Sequence, residues 1–321
     1  GLPHLRAIAL RVTLVSPAEP TSLGGNNTTA VRWRRLLEEL GHATEVTRRW
    51  RGEPADVLIA LHARKSFDSI LAYHERRPGA PLIVTLTGTD LYRDLDRGDE
   101  VSRALEMATC VVALQPAALD RLPTALHGKV RVILQSAQQI IGPTTPATDR
   151  FEVVVLSHLR EIKDPLLVAA ATHHLPEASR IVVRHGGSEL DEELGRRARA
   201  ETEANPRYRW LGPLSFESAR DLLAGSRLLV LSSRDEGGAN VVSEAIVAGV
   251  PVLSTDIPGS RGLLGKEYPG YYPVGDERAL ASLMSRAESE PAYLAELALH
   301  CRRLLPGFDP ERELAAWREL L

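Results

Sequence analysis

The sequence has few cysteines and no long hydrophobic run. Its two cysteines, Cys110 and Cys301, lie far apart in apolar patterns, which predicts two reduced, buried thiols in a cytosolic protein rather than a disulfide framework. Its apolar runs are much shorter than the roughly 20 residues that a membrane-spanning helix needs. Arg6 and Arg11 bound the only early apolar stretch, so no signal-peptide pattern is present. We therefore expect a cytoplasmic protein without a membrane partner.

Lysine is also scarce, although basic residues are not. The chain has 39 basic and 42 acidic residues, a formal net charge of −3, and only four of the basic residues are lysines. A slightly acidic chain has no overall basic field, which argues against a nucleic-acid partner. No His, Cys and Asp cluster has the spacing of metal ligands, so we expect no metal. Because lysines are so few, one that falls in a polar loop is a candidate for chemistry.

The order of predicted elements indicates an α/β protein. At about 150 residues per domain, 321 residues suffice for two domains. Short strands rich in branched apolar residues alternate with amphipathic helices, which is typical of doubly wound parallel sheets. In the first half the pattern predicts strands at 7–15, 42–47, 56–61, 82–87, 110–114 and 130–134, and helices at about 27–40, 66–76, 101–108 and 116–121.

The second half repeats this alternation after a stretch without periodicity. Residues 137–150 contain two prolines and several threonines, and we interpret them as a linker. Beyond the linker the pattern predicts strands at 152–157, 180–184, 208–211, 227–231, 252–253 and 271–273, and helices at about 165–173, 190–203, 216–224, 240–248, 277–289 and 291–304.

We therefore predict two Rossmann-like domains, at 1–145 and 146–307. A final segment, 308–321, has an apolar stripe that includes Leu314 and Trp317, and we expect a helix that crosses back to the first domain. In open parallel sheets, ligands bind in the loops at the carboxyl ends of the strands. We expect those loops of the two domains to face a central cleft.

The string SSRDEGGANVVSE at 232–244 has the strongest chemical pattern, and it follows a predicted buried strand. Small residues before Asn240 leave the amides at the start of the next helix accessible, and such a helix start suits a phosphate. Seven residues separate the two glutamates. Glu244 could accept hydrogen bonds from ribose hydroxyls, and Glu236 could hold a sugar hydroxyl. Either glutamate alone would be explained more simply as a solvated surface charge.

Two further turns follow strands of the second domain. Arg160 and Lys163, in HLREIKDP, would project from a loop where two cations could stabilise the charge on a leaving nucleoside diphosphate. The simpler interpretation is a pair of surface cations without a role. In the HGG turn, Gly186 would permit close approach of a nucleotide, but an ordinary tight turn explains it equally well.

Three loops of the first domain have residues suited to a second small anion. A glycine and asparagine loop leads into the first helix and offers backbone amides. The second loop has two adjacent cations after a histidine that is either a packing residue or a base, and the third loop reads TGTD. The cations could equally belong to a solvated helix start. The candidate residues are Gly24, Gly25, Asn26, Asn27, His62, Arg64, Lys65, Thr87, Gly88, Thr89 and Asp90.

The segment 207–259 resembles the E-x7-E region of the GT-B nucleotide-sugar glycosyltransferases. The resemblance covers the second domain and implies the two-domain GT-B fold, a nucleotide-sugar donor and no metal cofactor. Arg160 and Lys163 would then neutralise the diphosphate, and the sequence departs from the commoner family pattern at positions 238 and 239. The resemblance assigns the donor sugar to Glu236, the diphosphate to Gly238, Ala239 and Asn240, the ribose to Glu244, and the edge of the base pocket to Trp210 and Leu211.

Four strings together resemble the selenosugar synthase (SenB) family of selenoneine biosynthesis: TGTDLYRD, HARKS, SSRDEGGANVVSEA and IPGSRGLLGKEYPGYYPVGD. The resemblance runs almost end to end. It implies transfer of a sugar from UDP-GlcNAc or UDP-glucose to selenophosphate, with formation of a carbon–selenium bond and release of UDP and phosphate. Selenophosphate is already an anionic nucleophile, so it needs a cationic cradle rather than a general base.

Other functions stay open at this point. Another GT-B enzyme could act on a hydroxyl of a small metabolite, a glycan or a lipid. A non-catalytic nucleotide-sugar-binding protein could keep the same fold, although intact Glu236, Glu244 and Lys163 argue against it. A phosphorylase that uses pyridoxal phosphate is disfavoured, because Lys163 and Lys266 of the second domain lie in contexts that do not match one.

Overall fold

A computed structural model describes residues 9–17, 25–139 and 145–321 of the chain. The chain divides into two units, one formed by residues 1–135 together with Glu311–Leu321 and the other by Ser136–Pro310. The division falls earlier in the chain than the boundary predicted at 145. Of the predicted linker, the residues that the structure describes form neither helix nor strand.

The first unit is built on one parallel six-stranded sheet with the strand order β2-β1-β3-β4-β5-β6. This order places β1 and β3 side by side near the middle of the sheet. The elements of the unit are β1 (Arg11–Val15), α1 (Gly25–Glu39), β2 (Ala43–Thr47), β3 (Val57–Leu61), α2 (Phe67–Arg76), β4 (Leu82–Leu86), α3 (Glu100–Met107), β5 (Cys110–Ala113) and β6 (Val130–Val132), with the final helix of the chain at Pro310–Leu320.

The central strands β3 and β4 are buried at every position. Strands of a parallel sheet are covered on both faces, which is why their sequences, VLIAL and LIVTL, are almost continuously apolar. One face of the sheet packs against α1, through Trp33 and Leu37, and the other packs against α2 and α3, through Tyr73 and Leu105. These two layers of helices hold the sheet in place, so the loops at the carboxyl ends of its strands lie along one edge.

The final helix of the chain packs on α1 of the first unit. The rings of Trp33 and Trp317 meet edge to face with centroids 4.6 Å apart, and neither side chain is exposed. The Trp33 indole Nε1 donates a hydrogen bond of 2.7 Å to the buried Glu313 carboxylate. The apolar stripe that predicted this helix, Leu314 and Trp317, faces the core.

The second unit has its own parallel six-stranded sheet, with the order β12-β11-β10-β7-β8-β9. No helix within the described ranges is long and apolar enough to cross a membrane. The elements of the unit are β7 (Phe151–Leu156), α4 (Leu167–Thr172), β8 (Ile181–Gly186), α5 (Glu192–Ala204), β9 (Tyr208–Trp210), α6 (Phe216–Ala224), β10 (Leu228–Leu231), α7 (Asn240–Ala248), β11 (Val252–Thr255), α8 (Pro258–Leu264), β12 (Tyr271–Tyr272), α9 (Glu277–Ser289) and α10 (Pro291–Leu304).

The structure differs from the predicted elements in a few places. Helix α8 was not predicted, because its sequence PGSRGLL contains two glycines and has low helix propensity. The predicted helix at 116–121 is a 3-10 helix, and an unpredicted π-helical turn spans Asp90–Asp94. Cys110 is only half-buried, whereas Cys301 is buried as expected, and both thiols are free.

The packing of Trp317 makes a direct prediction about stability. Trp317→Ala should lower the free energy of unfolding by about 3–5 kcal/mol, because it leaves a cavity beside Trp33 and exposes the buried hydrogen bond of that ring. Arg318→Ala, at an exposed position on the same helix, should change it by less than about 0.5 kcal/mol. Urea denaturation of the two variants measures the difference. Equal stabilities would contradict the packing described here.

Candidate functional site

The second unit brings together Lys163 and Glu236, two residues that the sequence selected separately. Lys163 ends a short 3-10 turn after β7, and Glu236 lies in the loop after β10, the strand that pairs with β7. The Lys163 ammonium forms an ion pair with Glu236 Oε1. Only 26% of the lysine side chain and 11% of the glutamate side chain are exposed. The pair is therefore screened less by water and salt than an ordinary surface pair.

The two loops are also joined through their backbones. Ser232 Oγ donates to the Lys163 carbonyl oxygen at 2.9 Å, and the Arg234 N–H donates to the Ile162 carbonyl oxygen at 2.9 Å. The Arg234 guanidinium donates to the Asp164 carboxylate at 2.7 Å. Asp164 has a left-handed backbone with a φ of 43°, and burial raises the pKa of its carboxyl. Together these bonds fix the position from which Lys163 reaches Glu236.

Three residues that were not predicted as site residues, Ser233, Thr255 and Gly259, hold Glu236 in place. Ser233 Oγ donates to Glu236 Oε1 at 2.6 Å, and Thr255 Oγ1 donates to the Ser233 carbonyl oxygen at 2.6 Å. Gly259 lies so close that a Cβ there would be 2.0 Å from the Glu236 carbonyl oxygen. The available signal was the glycine of IPGSRG, directly after a buried strand. Because both bonds from described residues to the carboxylate fall on Oε1, Oε2 is the oxygen that a donor from a ligand would reach.

The loop that carries Glu236 leads directly into α7. The helix begins at Asn240, and Ala239 at its N-cap provides no side-chain hydrogen bond to the first turn. The Val242 N–H of the first turn donates to the Ala239 carbonyl oxygen at 3.0 Å. The start of a helix attracts an anion through its positive dipole end. Gly238 lies in the preceding loop, and Glu244 is half-buried in the second turn of α7. The structure therefore places the predicted diphosphate residues on one continuous segment with Glu236.

Arg160 has a different environment from Lys163. It is exposed at the start of the 3-10 turn, and its carbonyl oxygen accepts the Lys163 N–H at 2.9 Å. Its guanidinium forms no ion pair within the described ranges. Arg160 is thus held by its backbone beside Lys163 but is not part of the ion pair with Glu236, and its role toward a diphosphate stays a prediction.

The HGG turn after β8 is organised by a buried histidine. His185 Nδ1 accepts the Tyr208 hydroxyl hydrogen at 2.7 Å, and Nε2 donates to the Ser157 carbonyl oxygen at 2.9 Å. Burial lowers the pKa of His185 to about 4, so the ring is neutral. A Cβ on Gly186 would lie 2.4 Å from Leu214 Cδ1. The absence of a side chain at Gly186 therefore serves packing, and its predicted contact with a nucleotide could come only from its backbone.

Trp210 and Leu211 continue the chain from β9 beside this turn. The Trp210 indole Nε1 donates to the Gly187 carbonyl oxygen at 2.9 Å, and the Arg199 guanidinium lies 5.8 Å from the centre of the Trp210 ring. The Leu211 N–H donates to the His185 carbonyl oxygen at 2.8 Å. Both side chains are half-buried. They are fixed next to the carboxyl end of β8, and their predicted place at the edge of a base pocket stays a prediction.

In the first unit, Asp90 ties together the loops that follow β3 and β4. Its carboxylate accepts backbone N–H groups of Ala63 at 2.9 Å, Thr87 at 3.0 Å, Gly88 at 2.8 Å and Leu91 at 3.1 Å. The side chain is completely buried. Asp90 was predicted to contact an acceptor. Its environment instead makes it a positioning residue, because its oxygens are occupied by the backbone of both loops.

The backbone of Gly88 is likewise occupied. Its N–H donates to Asp90, and its carbonyl oxygen accepts the N–H groups of Leu91 at 3.0 Å and Tyr92 at 2.9 Å. Both backbone polar groups of Gly88 thus have partners, and its contact with an acceptor stays a prediction. The Thr87 N–H is occupied as well, since it also donates to Asp90.

Two cations after β3 have different partners. Arg64 donates to Asp94 at 2.9 Å and lies 3.4 Å from Glu100, so its charge is already paired. Lys65 is exposed, and its ammonium forms no ion pair with a described residue. His62 is buried with a left-handed φ of 67°, and its Nε2 lies 2.8 Å from Thr89 Oγ1. Any ligand at these loops would therefore meet Lys65 and Thr89 before His62.

The remaining candidates lie at the start of α1. Gly25, Asn26 and Asn27 form its first turn, and the Gly25 carbonyl oxygen accepts the Thr29 hydroxyl at 2.9 Å. Gly24 lies outside the described residues. Within the ranges that the structure covers, no three His, Cys, Asp or Glu side chains are grouped so that they could hold a metal ion.

The buried His185 predicts a specific dependence of stability on pH. Its pKa is about 4 in the folded protein and about 6.5 when unfolded, so the unfolded chain binds the proton first. The stability contributed by neutral His185 is fully present above about pH 6.5, and about 3 kcal/mol of it is lost as the pH falls to 4.

His185→Gln removes this titration. The difference in unfolding free energy between wild type and the variant should therefore shrink steadily from pH 7 to pH 4, measured by urea denaturation. His74→Gln, at an exposed position on α2, is the matched control. A His185→Gln difference that does not change with pH would refute the assignment of a buried neutral ring.

Known proteins similar to this chain fall into one class. Residues 137–303 match the family described as glycosyl transferases group 1. The putative teichuronic acid biosynthesis glycosyltransferase TuaC of Bacillus subtilis is 36% identical over 87 residues, which span 27% of this chain and 22% of that protein. Glycosyltransferase 1 domain-containing protein 1 of Xenopus tropicalis is 24% identical over 312 residues, covering 87% of this chain and 88% of that protein.

Solved structures agree in architecture. Anabaena HepE, in complex with UDP and glucose, superposes with a TM-score of 0.73 over 97% of this chain and 99% of its own, at 16% identity. Sucrose-phosphate synthase from Thermosynechococcus elongatus superposes with a TM-score of 0.75 over 97% and 98% of the two chains, also at 16% identity. At such low identity these matches show the fold alone, which is the predicted GT-B fold of two parallel sheets.

The family match covers more than half of the chain, and it contains Arg160, Lys163, Glu236 and Glu244. Of these residues, Lys163 and Glu236 form the ion pair that joins the loops after β7 and β10. The protein therefore belongs to the group 1 glycosyl transferase family and is a glycosyltransferase.

Proposed function

We propose that this glycosyltransferase is a selenosugar synthase, which transfers the sugar of UDP-GlcNAc or UDP-glucose to selenophosphate. The observation that carries the donor half of the proposal is the ion pair between Lys163 and Glu236, fixed on the loops after β7 and β10. A uridine diphosphate donor is supported by the HepE structure, which contains UDP and glucose. The selenium acceptor is supported by the four sequence strings, which occur in both units.

The donor half assigns a task to each part of the second site. Lys163 leaves Glu236 to pair with the diphosphate, and Glu236 Oε2 accepts a hydroxyl of the sugar. The start of α7, at Gly238, Ala239 and Asn240, binds the phosphate oxygens. Glu244 binds the ribose hydroxyls, and no metal is required because Lys163 and Arg160 supply the positive charge.

The acceptor half rests on the loops of the first unit. Lys65 has an ammonium without an ion-pair partner among the described residues, and Thr89, in the adjacent loop, has a half-buried hydroxyl. The start of α1, at Gly25, belongs to the same unit and has the positive dipole end that attracts an anion. These groups suit a small anion of the phosphate type, which selenophosphate is.

The proposed reaction balances without an external base or oxidant. The selenium of selenophosphate attacks the anomeric carbon, a carbon–selenium bond forms, and the bond from that carbon to the diphosphate oxygen breaks with its electron pair on UDP. Water then cleaves the phosphorus–selenium bond and yields the selenosugar and phosphate. Lys163 stabilises the charge that develops on the leaving diphosphate.

The protein should therefore form a selenium-containing sugar when it is incubated with selenophosphate and either UDP-GlcNAc or UDP-glucose. UDP release and the mass of the selenosugar, with its selenium isotope pattern, measure the reaction. Omission of either substrate is the control. If UDP is released with a hydroxyl acceptor and not with selenophosphate, the protein is another GT-B enzyme; if UDP binds but no acceptor consumes the UDP-sugar, it is a binding protein.

Lys163→Ala should lower kcat by about 10²–10³-fold, because it removes the cation that stabilises the leaving diphosphate. Lys266→Ala is the matched control, since Lys266 is an exposed lysine of the same unit. Thermal unfolding of both variants shows whether the fold is intact. Turnover near the wild-type rate in a folded Lys163→Ala variant would rule out the proposed role of this lysine.

A further inference from the structure

The hydrogen bonds around His62 determine which of its ring nitrogens carries the proton. Nδ1 lies 3.3 Å from the backbone nitrogen of Lys65, which can only donate, so Nδ1 accepts. A neutral ring that accepts at Nδ1 carries its hydrogen at Nε2. Burial lowers the pKa of His62 and favours the neutral ring. The carboxylate of Asp90 is 3.9 Å from Nδ1, beyond hydrogen-bond distance.

The orientation of the Thr89 hydroxyl follows from this arrangement. His62 Nε2 lies 2.8 Å from Thr89 Oγ1, and because Nε2 has the hydrogen, the threonine oxygen accepts it. The hydroxyl hydrogen of Thr89 is then directed away from His62. A hydroxyl that accepts from a fixed N–H donates more strongly to a third group. Thr89 is half-buried, so such a group could approach it from solvent.

An anion is the third group that the cation of the neighbouring loop suits. The Thr89 hydroxyl and the Lys65 backbone nitrogen both contact the His62 ring, so the two loops are neighbours. The Asp90 carboxylate is occupied by four backbone N–H groups, and Arg64 is paired with Asp94 and Glu100. Lys65 is exposed in the neighbouring loop, and its ammonium forms no ion pair with a described residue. An oxygen of an anion bound here would meet a hydroxyl donor and a cation.

We propose that Thr89 is the residue that recognises the acceptor, and that its hydroxyl donates to an oxygen of an acceptor that is already ionised, of the phosphate, thiophosphate or selenophosphate class. This inference rests on the proposed function and deepens it. His62 is a positioning residue: it fixes the direction in which Thr89 donates.

The same geometry disfavours acceptors that must lose a proton. A sugar or lipid hydroxyl becomes a good nucleophile when a base removes its hydrogen. His62 presents Nε2–H rather than a free nitrogen toward Thr89, and its other nitrogen is occupied by the Lys65 backbone. The Asp90 carboxylate is buried and occupied. Neither of these two groups can act as a base from its present position, which suits a nucleophile that is already ionised.

Titration of thiophosphate into the protein saturated with UDP, followed by calorimetry, tests the inference without turnover. Thr89→Val removes the hydroxyl at nearly constant size and should weaken thiophosphate binding by about 10- to 100-fold, the usual effect of a lost hydrogen bond to a charged group. Thr89→Ser retains the donor and should bind within about threefold of wild type. Thr44→Val, which removes a buried hydroxyl on β2 that has no described partner, is the matched control and should bind as wild type does.

The affinity for UDP should be the same in all these proteins, because the donor residues belong to the second unit. Absence of thiophosphate binding to wild type, equal affinities of wild type and Thr89→Val, or equal losses in Thr89→Val and Thr89→Ser would overturn the inference. If thiophosphate binds through Thr89 but no selenosugar is formed from selenophosphate, the proposed function fails and the anion subsite stands.

Discussion

The ion pair between Lys163 and Glu236 joins two residues that are 73 positions apart in the sequence. It forms because β10 returns to lie beside β7, so that the loops at their carboxyl ends become neighbours. Burial of one carboxylate and one ammonium at this edge is favourable only because each has its partner, and removing either leaves an unpaired charge in a poorly solvated place. The Ser232 hydroxyl and the Arg234 N–H donate to backbone carbonyl oxygens of the neighbouring loop, and Gly259 lies close to Glu236. These contacts hold the two charged residues in position.

The first unit fixes the loops after β3 and β4 in a different way. There a single carboxylate, Asp90, accepts four backbone N–H groups from two loops, and the ring of His62, whose pKa burial lowers, lies 2.8 Å from the Thr89 hydroxyl oxygen. The second unit thus has an ion pair between Lys163 and Glu236, and in the proposed function a ligand replaces one partner of this pair. The first unit has hydrogen-bonding groups in fixed positions. This difference matches the two partners of the proposed reaction, a donor that must lose a charged leaving group and an acceptor that is charged from the start.

The sequence predicted well the features that depend on residues close together in the chain. Strands such as Val57–Leu61 are apolar throughout because parallel sheets are buried on both faces. The number of strands and their order along the chain could therefore be predicted. The loops that hold Lys163, Glu236 and Thr89 followed from the strand ends. Which side chains pair within those loops did not follow, because pairing depends on distances between segments that are far apart in the chain. The backbone partners of Asp90 and the packing role of Gly259 were therefore not predicted.

The most direct measurement is a crystal structure of the protein with UDP and the donor sugar bound. We expect Lys163 Nζ to leave Glu236 and to lie within hydrogen-bond distance of a diphosphate oxygen, while Glu236 Oε2 accepts a sugar hydroxyl. We also expect phosphate oxygens at the start of α7, beside Asn240. A bound nucleotide that leaves the ion pair between Lys163 and Glu236 intact, or that binds away from the loop between β10 and α7, would contradict these expectations.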